Sequence, residues 1–303
     1  MKWEIRVPIS PNEIFFRRVE YLYRSLRACG GITGEARLVV SVGEDIEPFD
    51  LAASQSWSDE RVIWRWVDRE AFRRESYVAT DFDRFKVRTD ADIVLFADAD
   101  VIFVSGIDDL LENLFAAPTI AGVMAHVHPP PMPSGRWDQL FTDAKIQPAR
   151  DLHQYCGWRA MDPDPARRFG PVYYNFGAVF VPEKWVALLA HCYPASIVAA
   201  ENAGAGVFKA QVALTMALYR LGLRRITLEP RYNFANYTSF EEQNPEDLRD
   251  IRILHYLNRE IVNKDSDFAS IEAFAALISR DDLTGANEIL RATLKRLSDD
   301  SAA

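Results

Sequence analysis

Two carboxylates separated by a single residue are the clearest sign of chemistry in this sequence of 303 residues. Asp98 and Asp100 follow the apolar run of residues 93–97, and a second apolar run occupies residues 101–104. Residues two apart in an extended segment point to the same side, so both carboxylates face one space while Ala99 faces away. Two like charges about 4 Å apart repel by roughly 1 kcal/mol in water and by about 4 kcal/mol in a partly buried site. A divalent cation removes this penalty, and oxygen ligands suit Mg²⁺ or Mn²⁺.

A second pair of aspartates with the same spacing provides an internal comparison. Asp90 and Asp92 precede the apolar run that Asp98 and Asp100 follow. Ligands of open α/β sheets bind beyond the carboxyl ends of the strands, where only the later pair lies. The sequence therefore predicts a metal site at residues 98–100 and two solvated loop acids at 90 and 92. The alternative for the later pair is a polar turn after a buried strand, since a bare Asp-x-Asp pattern is weak.

The segments around these aspartates predict an α/β protein. Alternating or continuous apolar runs predict strands at residues 3–9, 37–42, 61–67, 93–97, 101–104, 120–125, 172–181, 225–228 and 251–257. Helical periodicity and capping residues predict helices at residues 11–29 (with Ser10 as N-cap and Pro11 in the first turn), 69–74, 108–115, 183–191, 207–221, 270–279 and 285–298. Strands that alternate with helices favour a mainly parallel sheet. Residues 126–171 are rich in proline, aspartate and aromatic residues and contain no clear long element.

Composition and charge exclude several other classes of protein. With 49% hydrophobic and 26% charged residues, the chain is globular rather than disordered. Its net charge is -9 and its basic residues are scattered in pairs, so we expect no nucleic-acid partner. Three cysteines without metal-like spacing indicate a reducing compartment. The sequence shows neither a signal peptide nor an apolar run of membrane-spanning length, so we expect a soluble, cytoplasmic protein; a peripheral membrane contact is compatible with this.

Five segments, in a fixed order, resemble the family 8 (glycogenin- and galactosyltransferase-like) branch of the GT-A glycosyltransferases. They are the Asp-x-Asp strand at 93–104, an Asn-x-Gly strand at 174–180, a Gln-x-x-Leu helix start at 211–214, a Tyr-Asn segment at 231–234 and a histidine strand at 254–256. The resemblance covers about residues 3–258 and implies the GT-A fold, which is Rossmann-like with a mainly parallel mixed sheet flanked by helices. It implies one such domain at 1–260, with a nucleotide-binding half at 1–104 and an acceptor half at 105–260 that includes the irregular loop 126–171; a helical extension at 261–303 follows.

The resemblance also implies a function and a set of site residues. It implies transfer of a sugar from a nucleoside diphosphate, commonly UDP, to a glycan or small-molecule acceptor, with retention of anomeric configuration. Asp98, Asp100 and His255 would bind Mn²⁺ or Mg²⁺, and Asn175 and Gln211 would be the catalytic amides. The donor-binding residues implied are Val7, Ile9, Arg84, Lys86, Asp98, Ala99, Asp100 and Gly177.

Three aromatic residues of the irregular region are candidates for an acceptor platform, because sugars stack on aromatic faces. They are Trp137, Tyr155 and Trp158. The alternative is that they form the small core of a long loop.

Two departures from the family pattern keep other functions open. Ala210 stands where the family has an acid before the glutamine, and the family's Gly-x-x-Lys-Pro-Trp segment after the histidine is missing. The cation that binds phosphate is then absent or comes from one of four residues: Arg259, Lys264, Arg84 or Lys86. One alternative is a protein of the same fold that binds nucleotide or glycan without turnover. The other is a HAD-type phosphatase with Asp98 as nucleophile, although no downstream acidic pair closes an apolar strand.

Overall fold

A seven-stranded sheet forms the centre of the computed structural model, which describes residues 1–125, 136–147, 151–152 and 169–300. The strands of these residues are β1 (Trp3–Ile9), β2 (Arg37–Val42), β3 (Val62–Trp66), β4 (Ile93–Ala97), β5 (Val101–Phe103), β6 (Ile120–Met124), β7 (Asp151–Leu152), β8 (Phe169–Gly170), β9 (Tyr174–Pro182), β10 (Arg225–Thr227), β11 (Phe234–Ala235) and β12 (Ile253–His255). The central sheet has the order β10-β6-β9-β4-β1-β2-β3. Its β9 runs antiparallel to both β4 and β6, while the other neighbours are parallel. The predicted mainly parallel mixed sheet is confirmed.

Helices cover both faces of this sheet. They are α1 (Glu13–Cys29), α2 (Leu51–Ser54), α3 (Arg69–Glu75), α4 (Tyr77–Lys86), α5 (Asp108–Ala116), α6 (Arg136–Asp143), α7 (Glu183–Asn202), α8 (Lys209–Arg220), α9 (Thr238–Gln243), α10 (Pro245–Leu248), α11 (Ile271–Ile278) and α12 (Gly285–Asp299). Among the described residues, no helix has the length and apolar character that crossing a membrane requires.

The continuous apolar run of β4 is explained by burial on both faces. Ile93 and Leu95 belong to one apolar core with α1 and α5, whereas Val94 and Phe96 belong to a second core with α7 and α8. Successive side chains of a strand point to opposite faces, so each face needs its own apolar residues. β4 is therefore held rigidly at the middle of the sheet, and its carboxyl end lies at a fixed position.

Several helices differ from the sequence prediction. Helix α1 begins two residues later than predicted, because Asn12 rather than Ser10 is the N-cap and its side chain accepts a hydrogen bond from the Phe15 N–H at 3.1 Å. Helix α7 continues past residue 191 and through Pro194, since buried Tyr193 and Ile197 extend its apolar face. Helices α4 and α6 and the short helices α2, α9 and α10 were not predicted. The predicted end of α1 is confirmed, with Gly30 at a positive φ of 63°.

A second, three-stranded sheet has the order β11-β12-β5 and joins the C-terminal helices to the rest of the chain. Strand β5 pairs antiparallel with β12, and this register sets Val101 opposite His255. Residues of both strands share an apolar core with α11 and α12. The turn at residues 98–100 is therefore the point where the chain leaves the central sheet and enters the second one.

Candidate metal centre and adjoining cleft

Asp98, Asp100 and His255 converge in the structure. One ligand atom from each lies within 4.8 Å of the others. The imidazole Nε2 is 3.3 Å from Asp100 Oδ1 and 3.9 Å from Asp98 Oδ2. His255 and Asp100 are buried, whereas the Asp98 side chain is 42% exposed. The cluster is thus closed on the protein side and open at Asp98.

Backbone hydrogen bonds hold both ends of the turn that carries the two aspartates. The Asp98 N–H donates to the carbonyl of Gly177 in β9 at 3.2 Å, and the Tyr256 N–H donates to the carbonyl of Asp100 at 3.0 Å. Together with the pairing of β5 and β12, these bonds fix the carboxylates relative to the histidine. The geometry therefore depends on three strands that are distant in sequence.

Asn233 sets the tautomer of His255. The Asn233 Nδ2 donates to the carbonyl of Asn175 at 3.3 Å, so the amide oxygen faces the imidazole Nδ1 at 3.1 Å. An amide oxygen only accepts, and Nδ1 must therefore carry the proton. In the neutral ring Nε2 then carries the lone pair, directed toward the two carboxylates, and no described residue forms a hydrogen bond with Nε2. A lone pair that faces two anions is unfavourable alone, and a divalent cation fits this donor set.

Lys264 contacts the other oxygen of Asp100. Its ammonium forms an ion pair with Oδ2, and the two side chains are only 14% and 8% exposed. Burial by itself would raise the pKa of Asp100, but the Lys264 ammonium, and the positive charge of His255 when its ring is protonated, hold that pKa well below its usual value. Asp100 is therefore ionised at neutral pH. The sequence named Lys264 only as one of four possible phosphate cations.

Gly177 makes room for the histidine. A Cβ atom at this position would lie 2.1 Å from His255 Cε1, too close for any other residue without displacing the ring. The resemblance implies that Gly177 also binds the donor, and that role stays a prediction. The structure supplies a separate reason for glycine here.

A cleft of about 300 Å³ adjoins the exposed side of Asp98. Four of the predicted site residues line it: Ile9, Arg84, Asp98 and Gln211. The cleft lies beyond the carboxyl ends of β1 and β4, where α/β sheets bind ligands. Val7 is fully buried within β1, Ala99 is buried in the core, and Lys86 places its ammonium 4.7 Å from the ring centroid of Phe82. None of these three lines the cleft, so direct donor contacts from them remain predictions.

Arg84 brings a buried positive charge to the cleft. Its guanidinium lies 4.1 Å from the ring centroid of Phe176 and forms an ion pair with Asp81. Burial lowers the pKa of Arg84, an effect that the charge of Asp98 opposes. The Nη1 atom is buried and has no hydrogen-bond partner among the described residues. An arginine nitrogen without a partner next to a cleft suits an anionic ligand.

The two predicted catalytic amides bond the backbone of β9. Asn175 Oδ1 accepts from the Gly177 N–H at 3.0 Å, and Gln211 Oε1 accepts from the Phe176 N–H at 3.3 Å. Gln211 lies in the first turn of α8 and lines the cleft. The Asn175 carbonyl accepts a hydrogen bond from Asn233, the residue that orients His255. Their predicted catalytic roles stay predictions.

Trp137 is the one acceptor candidate that the structure describes. It lies in α6, is 7% exposed and packs edge-on against Phe141 and Tyr173, with ring centroids 5.7 and 5.8 Å away. This placement agrees with the core alternative, and its acceptor role stays a prediction. Tyr155 and Trp158 fall outside the described residues.

Sequence reasoning did not single out several residues that complete the site. Asn233 was quoted only within a motif, and the support of Arg84 by Asp81 was not foreseen because α4 was not predicted. The spacing of Asp81 and Arg84 by three residues is a signal that a helix assignment would have revealed. Phe15, Tyr77 and Val207 line the cleft without any sequence signal for it.

Comparisons with known proteins give the fold a name. A scan against protein-family models finds no match, and a search of curated proteins also finds none.

Solved structures do match. The galactosyltransferase LgtC in complex with donor and acceptor sugar analogues has a TM-score of 0.57 and 14% identity, covering 97% of this chain and 96% of that one. An active-site mutant of LgtC gives 0.58 and 15%, covering 98% and 95%. Mouse xyloside xylosyltransferase 1 in its apo form gives 0.52 and 12%, covering 86% and 99%. The chain therefore has the GT-A fold of these glycosyltransferases at only 12–15% sequence identity.

Proposed function

We propose that the protein is a metal-dependent glycosyltransferase that moves a sugar from a nucleoside-diphosphate donor, with UDP-sugars the first to test, to an acceptor. The observation that carries this proposal is the convergence of Asp98, Asp100 and the bare Nε2 of His255 beside a cleft. The fold shared with galactosyl- and xylosyltransferases supports it.

The residues have separate roles in this proposal. Asp98, Asp100 and His255 hold Mn²⁺ or Mg²⁺, which would neutralise the charge that develops on the leaving diphosphate. Arg84 donates from Nη1 to a phosphate oxygen in the cleft and is kept in place by Asp81 and the Phe176 ring. Asn233 orients the imidazole. Gln211 and Asn175 contact the sugar, whose anomeric carbon leaves the diphosphate oxygen and bonds the acceptor oxygen with retention of configuration.

Binding of nucleoside diphosphates with and without Mn²⁺ is the decisive experiment. We expect UDP to bind in the presence of Mn²⁺ and to lose most of its affinity when the ion is chelated. In Asp98→Ala and Asp100→Ala, Mn²⁺ should no longer increase the affinity for UDP, as measured by calorimetry. Wild-type affinity for UDP in both variants, in the presence of Mn²⁺, would show that the metal site is wrong. Titrations with GDP and other nucleoside diphosphates show which nucleotide base the site prefers.

A binding protein without turnover is the second candidate, and the departure at residues 256–259 favours it. His255 is followed by Tyr256, Leu257, Asn258 and Arg259 rather than by the segment that supplies the family's lysine. Release of UDP from a panel of UDP-sugars separates the two candidates, because a pure binder releases none. The phosphatase alternative loses its support, since Asp98 shares its site with a histidine on a GT-A fold.

A further inference from the structure

Lys264 occupies a position that a simple metal site does not require. Two carboxylates already balance the charge of a divalent cation. The Lys264 ammonium nevertheless contacts one of these carboxylates from within the protein. Asp100 uses its oxygens differently, with Oδ1 toward His255 Nε2 and Oδ2 on the lysine. The lysine therefore partly neutralises the aspartate pair before any ion arrives.

The loop that carries Lys264 is firmly held. Val262 and Phe268 on either side of it are fully buried, and the Phe268 ring stacks on Tyr256 with centroids 5.3 Å apart. Buried Arg18 of α1 donates to the carbonyl of Lys264 at 2.5 Å and to Asp265 Oδ1 at 2.8 Å. The backbone of Lys264 is thus fixed, and any movement of its charge comes from its flexible four-carbon side chain.

The same support connects the loop to the cleft. The Arg18 guanidinium lies 5.1 Å from the ring centroid of Phe15, and Phe15 lines the cleft beside Asp98 and Arg84. Lys264 thus pairs with Asp100, while the other carboxylate of the cluster, Asp98, lines the cleft.

The charges around the Lys264 ammonium change when an ion or a diphosphate binds. In the metal-free protein the Lys264 ammonium forms an ion pair with Asp100, which stabilises both groups. Once a divalent cation sits on the carboxylates they are neutralised, and the ammonium and the cation repel each other. A diphosphate in the cleft brings new negative charge and gives the ammonium another partner.

We propose that Lys264 is an internal counter-ion that couples metal binding to diphosphate binding. It opposes binding of the ion alone and favours binding of the ion together with a diphosphate. Coupling of this kind is reciprocal, so each ligand strengthens the other by the same factor. The inference rests on the metal site of the proposed function.

The test is a Mn²⁺ titration of the full chain, with and without UDP. Binding is measured by calorimetry and by the electron paramagnetic resonance signal of free Mn²⁺. Lys264→Met removes the charge and keeps the length of the side chain. Arg259→Met is the matched control, since it removes one positive charge from the same loop; Arg259 is 64% exposed and pairs with Asp265 rather than with Asp100. Lys264→Arg keeps the charge, and thermal melts check that all variants are folded.

We expect Lys264→Met to bind Mn²⁺ alone about tenfold tighter than the wild type, the order expected when a charge beside a divalent ion is removed. UDP should then strengthen Mn²⁺ binding about tenfold less than in the wild type, while Arg259→Met and Lys264→Arg stay close to the wild type. Two results would overturn the inference: Mn²⁺ affinity that is unchanged or weaker in Lys264→Met, or an equal gain in Arg259→Met. Failure of the proposed function is a distinct outcome, because Asp98→Ala would then bind Mn²⁺ as the wild type does.

Discussion

The two ends of strand β4 carry the same Asp-x-Asp pattern in opposite surroundings. At the amino end, Asp90 is 55% exposed and pairs with Lys2 and Arg37, and Asp92 accepts a hydrogen bond from the Lys2 N–H at 2.8 Å. At the carboxyl end, Asp100 is buried and faces an imidazole nitrogen that has no hydrogen-bond partner among the described residues. The amino-end acids are paired with protein donors, whereas at the carboxyl end Asp98 and Asp100 share their space with a ring nitrogen that no described residue bonds. Spacing alone therefore does not make a metal site; the strand end and the third ligand do.

Removing one carboxylate at each end gives the largest expected difference. Asp98→Asn keeps the shape of the side chain and removes its charge, so we expect Mn²⁺ affinity to fall more than the roughly 10–100-fold typical of losing a residue that only orients a ligand. Asp90→Asn should leave the affinity unchanged. Calorimetric titration of both variants measures this, and equal losses would mean that the two ends are equivalent after all.

Gly177→Ala tests the packing that only the carboxyl end has. The new methyl group would overlap the His255 ring, and overpacking of this kind costs about 1–3 kcal/mol of folding free energy. Urea denaturation measures the loss, and Mn²⁺ affinity should fall as the ring moves. Gly106→Ala is the control, because its Cβ would meet the nearest atom at an ordinary 3.5 Å. A Gly177→Ala protein as stable as the control would contradict the close approach.

Asn233→Leu removes the acceptor that orients His255 without changing the ligands. The imidazole can then adopt the other tautomer, in which Nε2 carries the proton, so we expect Mn²⁺ affinity to fall roughly tenfold, the lower end of the range for such partners. Nitrogen-15 chemical shifts of the imidazole report the tautomer directly. Unchanged shifts and affinity would indicate that the register of β12 is enough to orient the ring.

The smallest effect is expected at Asp90. Hydrogen bonds from Lys2 and Arg37 lower the pKa of Asp90 from 3.8 to about 2. Since the pKa is lowered in the folded state, any stability from this carboxylate is present above pH 3.8 and lost as the pH falls through about 2. Asp90 is exposed, so Asp90→Asn should leave the melting temperature at neutral pH unchanged. A carboxyl titration by NMR checks the pKa, and a value near 3.8 would mean that both pairings are absent in solution.

The strand that ends at the aspartates could be predicted because its signal is local. A continuous apolar run needs no knowledge of its neighbours, and residues 93–97 match β4 in full. The assignment of 98–100 to the ligand-binding end of the sheet followed from chain direction alone.

Other parts of the site depend on contacts that no local pattern contains. His255 came only from the order of motifs, since its approach to Asp100 requires the register of β5 against β12. Helix α4 follows Ser76, whose φ of 53° is one that a serine in a sequence does not announce. The pairing of Lys264 with Asp100, and the bond from Arg18 to the Lys264 carbonyl, join residues that are far apart in the chain.

The turn at residues 98–100, which joins the two sheets, also has a consequence for the timing of folding. The antiparallel partner of β5 follows after about half of the chain has intervened, so this contact has a very long sequence separation and forms slowly. During synthesis, both aspartates emerge well before the strand that carries the histidine. A nascent chain that ends before Ile253 would have β5 unpaired and the ligand set incomplete. An ion bound by all three ligands can therefore stabilise the contact between the two sheets only after the strand that carries His255 has been synthesised.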